Sequence, residues 1–522
     1  MKGAVAAGHP LTAQAGARIL EDGGNAVDAC IAAAFVSWVA ESPLTGPGAG
    51  GFMLVHRGRD GRDFLLDFFV AIPGRGLPAA EGGEMVTVKV PFDERTVQLF
   101  RIGGAACAVP GAVAGLAEAH RRYARLPWAK LVTPGVEAAR GGVELNAAQA
   151  FLHQILDVAL RYEPEGRRIY GDEAPLVAGE RLVMEDLART LEQLAAEGED
   201  AFYRGELARR MSETVRERGG RITEEDLSGY RVIRRRPVRA FYREAEFVSN
   251  PPPSAGGLLV AFALAVLDRL GPMPAYGSAE ATALLAEAMR AATRARGGGF
   301  VSELYRGGAA RRLLEPERIL EAAALATRPE ARAPAHEAAG VPSTTHISVV
   351  DADGNAASLS SSTGCGSGVL VPGAGIQLNN MLGEEDLNPV GAAARIGERL
   401  TSMMAPSLVL VDGRPHLAVG SAGSIRLRAA ILQIVVNVLD HGMSVAEAID
   451  APRVHLEGDV LHIEGGVDEA VADRLERAGY RVTRWSGRNL YFGGASAVVF
   501  RESGGLEAAG DPRRSGAGVV VA

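Results

Sequence analysis

The chain has 522 residues, more than one compact core usually holds, so two domains or one large layered unit is expected. Hydrophobic residues make up 47% and charged residues 23%, the balance of an ordinary globular protein. The 55 Lys and Arg against 63 Asp and Glu leave a net charge of −8, which argues against a nucleic-acid or anionic-membrane partner. The three cysteines, Cys30, Cys107 and Cys365, lie far apart and form no CxxC, so neither a disulfide framework nor a metal site is expected. The start, "MKGAVAAGHPLTAQ", has no long apolar region, and no stretch of about 18 uninterrupted apolar residues occurs. The default location is therefore cytoplasmic, or exported if the chain has lost a leader.

In chain order, Val27, Cys30, Ile31, Ala34, Phe35, Trp38 and Val39 repeat at helical spacing after Asn25, a good N-cap. A core helix is predicted there, with Cys30 buried. "TGPGAGGFMLVHRG" follows as a glycine-rich turn into a strand. Further helices are expected at 111–123 and 128–140, and an apolar one from about Ala255. Helical sequence continues to about Ala326. "RPEARAPAHEAAGVPS" (328–343) has little periodicity and reads as an exposed linker.

Strands dominate afterwards. "THISVVDADGNAASLSS" is a hairpin turning at Asp353-Gly354, and "SLVLVDGRPHLAVGS" is a second, turning at Asp412-Gly413. A long apolar helix is expected from about Ser424, then a strand at "DVLHIE", a helix near 468–479 and a strand at "ASAVVF". The pattern suggests helical layers covering stacked antiparallel sheets.

Few motifs carry familiar chemistry. Gly46, Gly48, Gly50 and Gly51 spell GxGxGG, but a helix precedes them and a strand follows, the reverse of a dinucleotide loop. No GxSxG, HExxH or Walker sequence is present, and the ten histidines show no metal spacing. Arg234, Arg235 and Arg236 read as a solvated face.

The seam at "VPSTTHIS" is more informative. Two threonines entering a strand are ordinary strand formers. If the bond Ser343–Thr344 is cut, Thr344 carries both a hydroxyl and a free amine whose ordinary pKa is about 7.7–8.0. That amine can act as the base a weak hydroxyl nucleophile requires. "AVGSAGSIRLRAAIL" offers an oxyanion hole where a strand hands over to a helix at Gly423 and Ser424. A simple turn explains Gly423 equally well.

Several blocks along nearly the whole chain resemble the γ-glutamyltransferase family of N-terminal-nucleophile hydrolases. They include "GHPLTAQAGARILEDGGNAVDACIAAAF", "AVPGAVAG", "GGRITEEDLSGY", "PPPSAGG", "STTHISVVDADGNA", "LNNM", "MMAPSLVL", "GSAGS" and "AEAIDAPRVH". The resemblance implies an α/β (α+β) class fold, four-layered αββα with stacked antiparallel sheets. It implies self-cleavage into a large segment 1–343 and a small segment 344–522 that together form one αββα unit, present as a heterodimer or as a dimer of heterodimers. It implies an acyl-enzyme formed on a small-molecule γ-glutamyl or related acyl amide, then hydrolysis or transpeptidation, with no cofactor or metal.

Thr344 matches the family nucleophile. Ser362 is the best match for a second hydroxyl that orients the nucleophile's amine, with Thr363 or Ser361 as alternatives. The amides of Gly423 and Ser424 match the oxyanion pair, with Ser standing for the usual Gly. On the substrate side the implied set is Asn380, Glu384, Ser402 and Phe69. Here the sequence departs from the family. "DFFVAIP" replaces a stretch resembling "DFREMAP", so Phe69 occupies the place of the arginine that clamps the glutamyl carboxylate. Met381 and Glu384 stand where Gln and Asp hold the α-amine, with Glu385 and Asp386 beside them. Ser402, next to Thr401 and Met403, represents the paired serines. Arg75 is close in sequence as a replacement clamp. Three readings follow: a γ-glutamyltransferase-like enzyme, an acylase for another amide such as an acylated β-lactam nucleus or a dipeptide, and an uncleaved scaffold.

Overall fold

The computed structural model describes residues 1–78, 82–91, 97–327, 344–384, 395–501 and 505–522. The expected linker at 328–343 lies outside the described residues, as do Glu385 and Asp386.

Two antiparallel sheets form the centre. In the first, seven strands run in the order Ala517–Val521, Gly3–Ala7, Thr345–Asp351, Ala356–Ser362, Gly50–Arg57, Arg62–Phe68 and Ile233–Arg235. In the second, six run in the order Leu506–Gly510, Gly494–Phe500, Arg414–Ala422, Ser407–Val411, Ala245–Ser249 and Val238–Tyr242.

Strand alternation sorts the side chains between layers. Val5 and Ala7 join a core shared with the helices Pro10–Glu21 and Ala26–Ala40, whereas Ala4 and Ala6 join a second core. That second core also holds Phe247, Leu408 and Val419 of the second sheet and apolar residues of the helices Gly256–Leu270 and Leu427–Leu439. The result is the expected αββα stack.

The predicted core helix is Ala26–Ala40. Asn25 caps it and Asp28 closes the capping box. All fifteen of its residues are buried, Cys30 among them, as a helix apolar on every side requires. The other expected helices are found at Ala112–Tyr123, Trp128–Gly141 and Glu469–Arg477. Asp412 and Gly413 have φ of 49° and 73°, the left-handed pair that a tight two-residue hairpin turn needs. The glycine run 46–51 is a helix-to-strand turn. A Cβ at Gly48 would stand 2.2 Å from the Gln377 carbonyl oxygen, so the run lets two backbones meet.

The sequence reading underplays the strands before residue 343. Gly3–Ala7, too short and too alanine-rich to read as a strand, pairs with Thr345–Asp351 from Gly3↔Asp351 to Ala7↔Ile347. Ala245–Ser249 likewise pairs with Ser407–Val411. The first sheet therefore interleaves strands from before and after residue 344, and the second joins two strands from before it to the edge of four from after it. Among the described residues no helix is long and apolar enough to cross a membrane, and no group of His, Cys, Asp and Glu is arranged to hold a metal ion.

Candidate active site

Thr344 lies just before a central strand of the first sheet and is 6% exposed. By alternation, even-numbered residues of this strand face the second sheet. His346 sits there, with its ring nitrogens hydrogen-bonded to Ser360 Oγ (2.8 Å) and Ser348 Oγ (2.9 Å). Burial pulls the His346 pKa down to about 3, so the ring is neutral and bridges serines. A Cβ at Gly420 would stand 2.2 Å from His346 Cε1, so the two sheets meet closely at this end. Odd-numbered Thr345 points the other way, and its hydroxyl donates to Glu41 Oε2.

Glu41 follows the last residue of the buried helix and also accepts from Thr12 Oγ1 at 2.9 Å. Burial pushes its pKa up, opposed by the two threonine hydrogen bonds and by the charge of Arg514. Arg514 Nη1 donates to the Thr344 carbonyl at 2.9 Å. Its guanidinium is held down to about 10 by burial. Sequence reading missed both residues. A single carboxylate ending a fifteen-residue apolar helix was the available signal, because a buried charge requires partners.

Thr345 pairs with Ser361, so one further step along the register sets Thr344 opposite Ser362. Ser361 faces the helical layer, where its hydroxyl meets Thr45 Oγ1 at 2.9 Å. Ser362 Oγ accepts from the Gly364 amide at 2.9 Å. Thr363 Oγ1 is buried and has no hydrogen-bond partner among the described residues.

The strand Arg414–Ala422 ends at Gly423, a 3₁₀ turn spans Ser424–Arg426, and the helix Leu427–Leu439 follows. Gly423 has φ of 138° and Ser424 of 51°, so Ser424 holds a left-handed conformation that favours glycine. A chain of contacts links this turn to Thr344. Gly494 pairs with Ala422, and a Cβ at Gly494 would stand 2.3 Å from Arg514 Cδ, while Arg514 also holds the Thr344 carbonyl.

On the substrate side, the turn after Asn380 folds back on Ser362–Cys365. A Cβ at Gly364 would stand 1.9 Å from Asn380 Oδ1 and 2.5 Å from Glu384 Oε1. The Cys365 thiol is pushed well up by burial and by the Glu384 charge. Glu384 is half-buried, with its carboxylate packed against Gly364. Asn380 is wholly buried. Its oxygen accepts from the Cys365 amide (3.0 Å) and its amide donates to the Arg101 carbonyl (3.3 Å), so it shapes the turn. Ser402 is buried, and its Oγ accepts from the Met404 amide at 3.1 Å.

Phe69 has no exposed surface. It stacks on Phe52 at 5.4 Å within the inter-sheet core, so its ring serves packing and gives no open aromatic face. The backbone beside it registers with 399–400 through the Ala71↔Arg399 bridge and the Leu400 amide bond to Val70. Arg399 is committed elsewhere, to Asp67 (3.3 Å), the Arg231 carbonyl and the Tyr230 ring. Arg75 pairs with Asp226 at 3.7 Å and lies 40% exposed.

The model of the family described as Gamma-glutamyltranspeptidase matches residues 12–521. The chain belongs to the gamma-glutamyltranspeptidase family. Among relatives, it is 35% identical to the Acylase ACY 1 proenzyme of Pseudomonas sp. (strain SE83), over 100% of this chain and 94% of that one. It is 33% identical to the Glutathione hydrolase proenzyme of Pseudomonas aeruginosa, over 99% and 94%. Among solved structures, a cephalosporin acylase from Bacillus halodurans superposes with a TM-score of 0.84 at 26% identity, covering 99% of this chain and 95% of that one. The gamma-glutamyltranspeptidase family thus supplies both acylases and glutathione hydrolases as relatives, and this member is a γ-glutamyltransferase-like enzyme acting on amides.

Proposed function

We propose that Thr344 is the nucleophile of a self-processing enzyme. In processing, Thr344 Oγ attacks the carbonyl carbon of Ser343, and the amide nitrogen leaves as the α-amine of Thr344. Water then hydrolyses the ester, leaving a carboxylate on Ser343. In turnover the same hydroxyl attacks an amide substrate, its proton passes to the α-amine, and the leaving amine takes that proton. The amides of Gly423 and Ser424 stabilise the oxyanion, and water or a second amine resolves the acyl-enzyme. The observation that carries this reading is a buried threonine at the start of a central strand, facing the second sheet. Its link through Arg514 and Gly494 to the strand that runs into the Gly423 turn supports it further.

The acyl group, on this reading, is not an unmodified γ-glutamyl unit. Phe69 stands where a guanidinium would grip the α-carboxylate, and Arg75 and Arg399 are engaged elsewhere. Loss of one partner of such a contact costs about 2–5 kcal/mol, enough to shift preference by orders of magnitude. Association of two processed heterodimers and a cytoplasmic location remain part of the same proposal.

Intact mass under denaturing conditions tests the nucleophile. Two chains in the wild type, the smaller beginning at Thr344, and one chain in Thr344→Ala are expected. A single chain of 54.5 kDa in both refutes it. A panel of γ-glutamyl anilide and its analogue without the α-carboxylate, 4-aminobutyryl anilide, tests the acyl group, with turnover of the analogue expected to be at least as fast.

A further inference from the structure

Thr344 precedes the paired strand, which begins at Thr345. Once the preceding peptide bond is gone, Thr344 is a chain end beyond the last rung of its ladder. Chain ends fray unless something ties them down. A nucleophile whose own amine is the base cannot fray, because a displacement of about 1 Å costs on the order of 100-fold in rate.

Two buried side chains hold this end from opposite sides. Arg514 donates to the Thr344 carbonyl at 2.9 Å, and Glu41 accepts the Thr345 hydroxyl. Together they hold the Thr344 carbonyl and the Thr345 side chain, which anchors the Thr344 Cα and limits the motion of its amine and hydroxyl to rotation about that atom. Both side chains are themselves anchored. Glu41 takes a second hydrogen bond from Thr12. Arg514 sits on a turn held by Asp511, which accepts from the Arg513 and Ala495 amides and pairs with Arg453 at 2.7 Å.

The fold also leaves room for them. A Cβ at Gly8 would stand 2.4 Å from Glu41 Oε2, and one at Gly494 would stand 2.3 Å from Arg514 Cδ. Each charge supports the other across the peptide.

We propose that Glu41 and Arg514 are positioning residues that clamp the Thr344–Thr345 peptide in the reactive geometry before and after self-cleavage. The inference rests on Thr344 being the nucleophile. Arg514 acts through the Thr344 carbonyl and Glu41 through the Thr345 hydroxyl.

Cell-free synthesis followed by denaturing electrophoresis reads the rate of self-cleavage directly. The chains compared are wild type, Thr344→Ala, Arg514→Met, Arg514→Lys, Thr345→Val and Thr345→Ser, each with its thermal unfolding midpoint. Arg514→Met is expected to slow cleavage by on the order of 100-fold, and Arg514→Lys, which keeps a donor, to recover part of the loss. Thr345→Val is expected to slow it, and Thr345→Ser to restore it, at similar unfolding midpoints. An uncleaved wild type refutes the nucleophile reading and the clamp with it. A cleaved wild type with Arg514→Met and Thr345→Val equally fast overturns the clamp alone. So does slowing that tracks a lowered unfolding midpoint in both conservative variants, since the residues are then merely structural.

Discussion

Thr345 and Ser361 are registered directly opposite each other, and both hydroxyls turn toward the helical layer, one to Glu41 and the other to Thr45. The neighbouring pair, Thr344 and Ser362, therefore faces the second sheet. This parity separates the three hydroxyls that the sequence leaves open. Ser362→Ala is expected to lower kcat by about 10- to 100-fold, the worth of one hydrogen bond of about 1.5–3 kcal/mol to a charged group. Ser361→Ala, on the other face, is expected to change kcat by less than about threefold. Equal losses in the two variants sink the assignment.

The interleaved strands make a second expectation. Thr345–Asp351 is flanked by Gly3–Ala7 on one side and Ala356–Ser362 on the other, and the latter pairs with Gly50–Arg57. A cut at residue 343 leaves two chains that share both sheets. They are expected to co-elute in native size-exclusion chromatography and to separate only in denaturant. Separation under native conditions contradicts the shared-sheet picture.

Ser424 holds a φ of 51° at the start of the turn that offers the oxyanion amides. A left-handed non-glycine residue carries roughly 1–2 kcal/mol of strain, which Ser424→Gly relieves while adding about 0.4–1 kcal/mol of unfolded-chain entropy. The variant is expected to unfold within about 1 kcal/mol of wild type and to stay active. Ser424→Val, branched at Cβ, cannot hold this conformation cheaply. Displacing one oxyanion donor is expected to cost about 100- to 1,000-fold in kcat. Paired denaturation and rate measurements on both variants decide the matter.

Much of this was legible in the sequence, and the reasons are specific. The capped helix after Asn25, the Asp-Gly hairpins and the Gly423 turn are local patterns whose physics lies within a dozen residues. The short strands Gly3–Ala7 and Ala517–Val521 were not legible, because their pairing partners lie hundreds of residues away or at the other chain end. The same holds for Arg514, whose role depends on a carbonyl 170 positions earlier. Phe69 was found by its departure from a family pattern. Its burial against Phe52 is a tertiary fact that no spacing encodes.

His346 gives the last prediction. Its ring is buried between the sheets among Ser348, Ser358 and Ser360, and burial lowers its pKa from an ordinary 6.5 to about 3. The folded state therefore keeps His346 neutral where the unfolded chain protonates it. Between pH 6.5 and about 3 the unfolded state binds the extra proton, so stability falls as the pH drops through that window. At pH 5 this single group costs roughly 2 kcal/mol relative to neutral pH. His153 and His462, each lowered to about 4 by burial, act in the same direction. Urea unfolding from pH 7 to pH 4.5 is expected to show a falling free energy. His346→Gln, which can hydrogen-bond to the serines but cannot titrate, is expected to show a shallower fall by about one proton. Identical slopes in the two proteins show that His346 titrates alike in both states, contrary to its buried, uncharged place between the sheets.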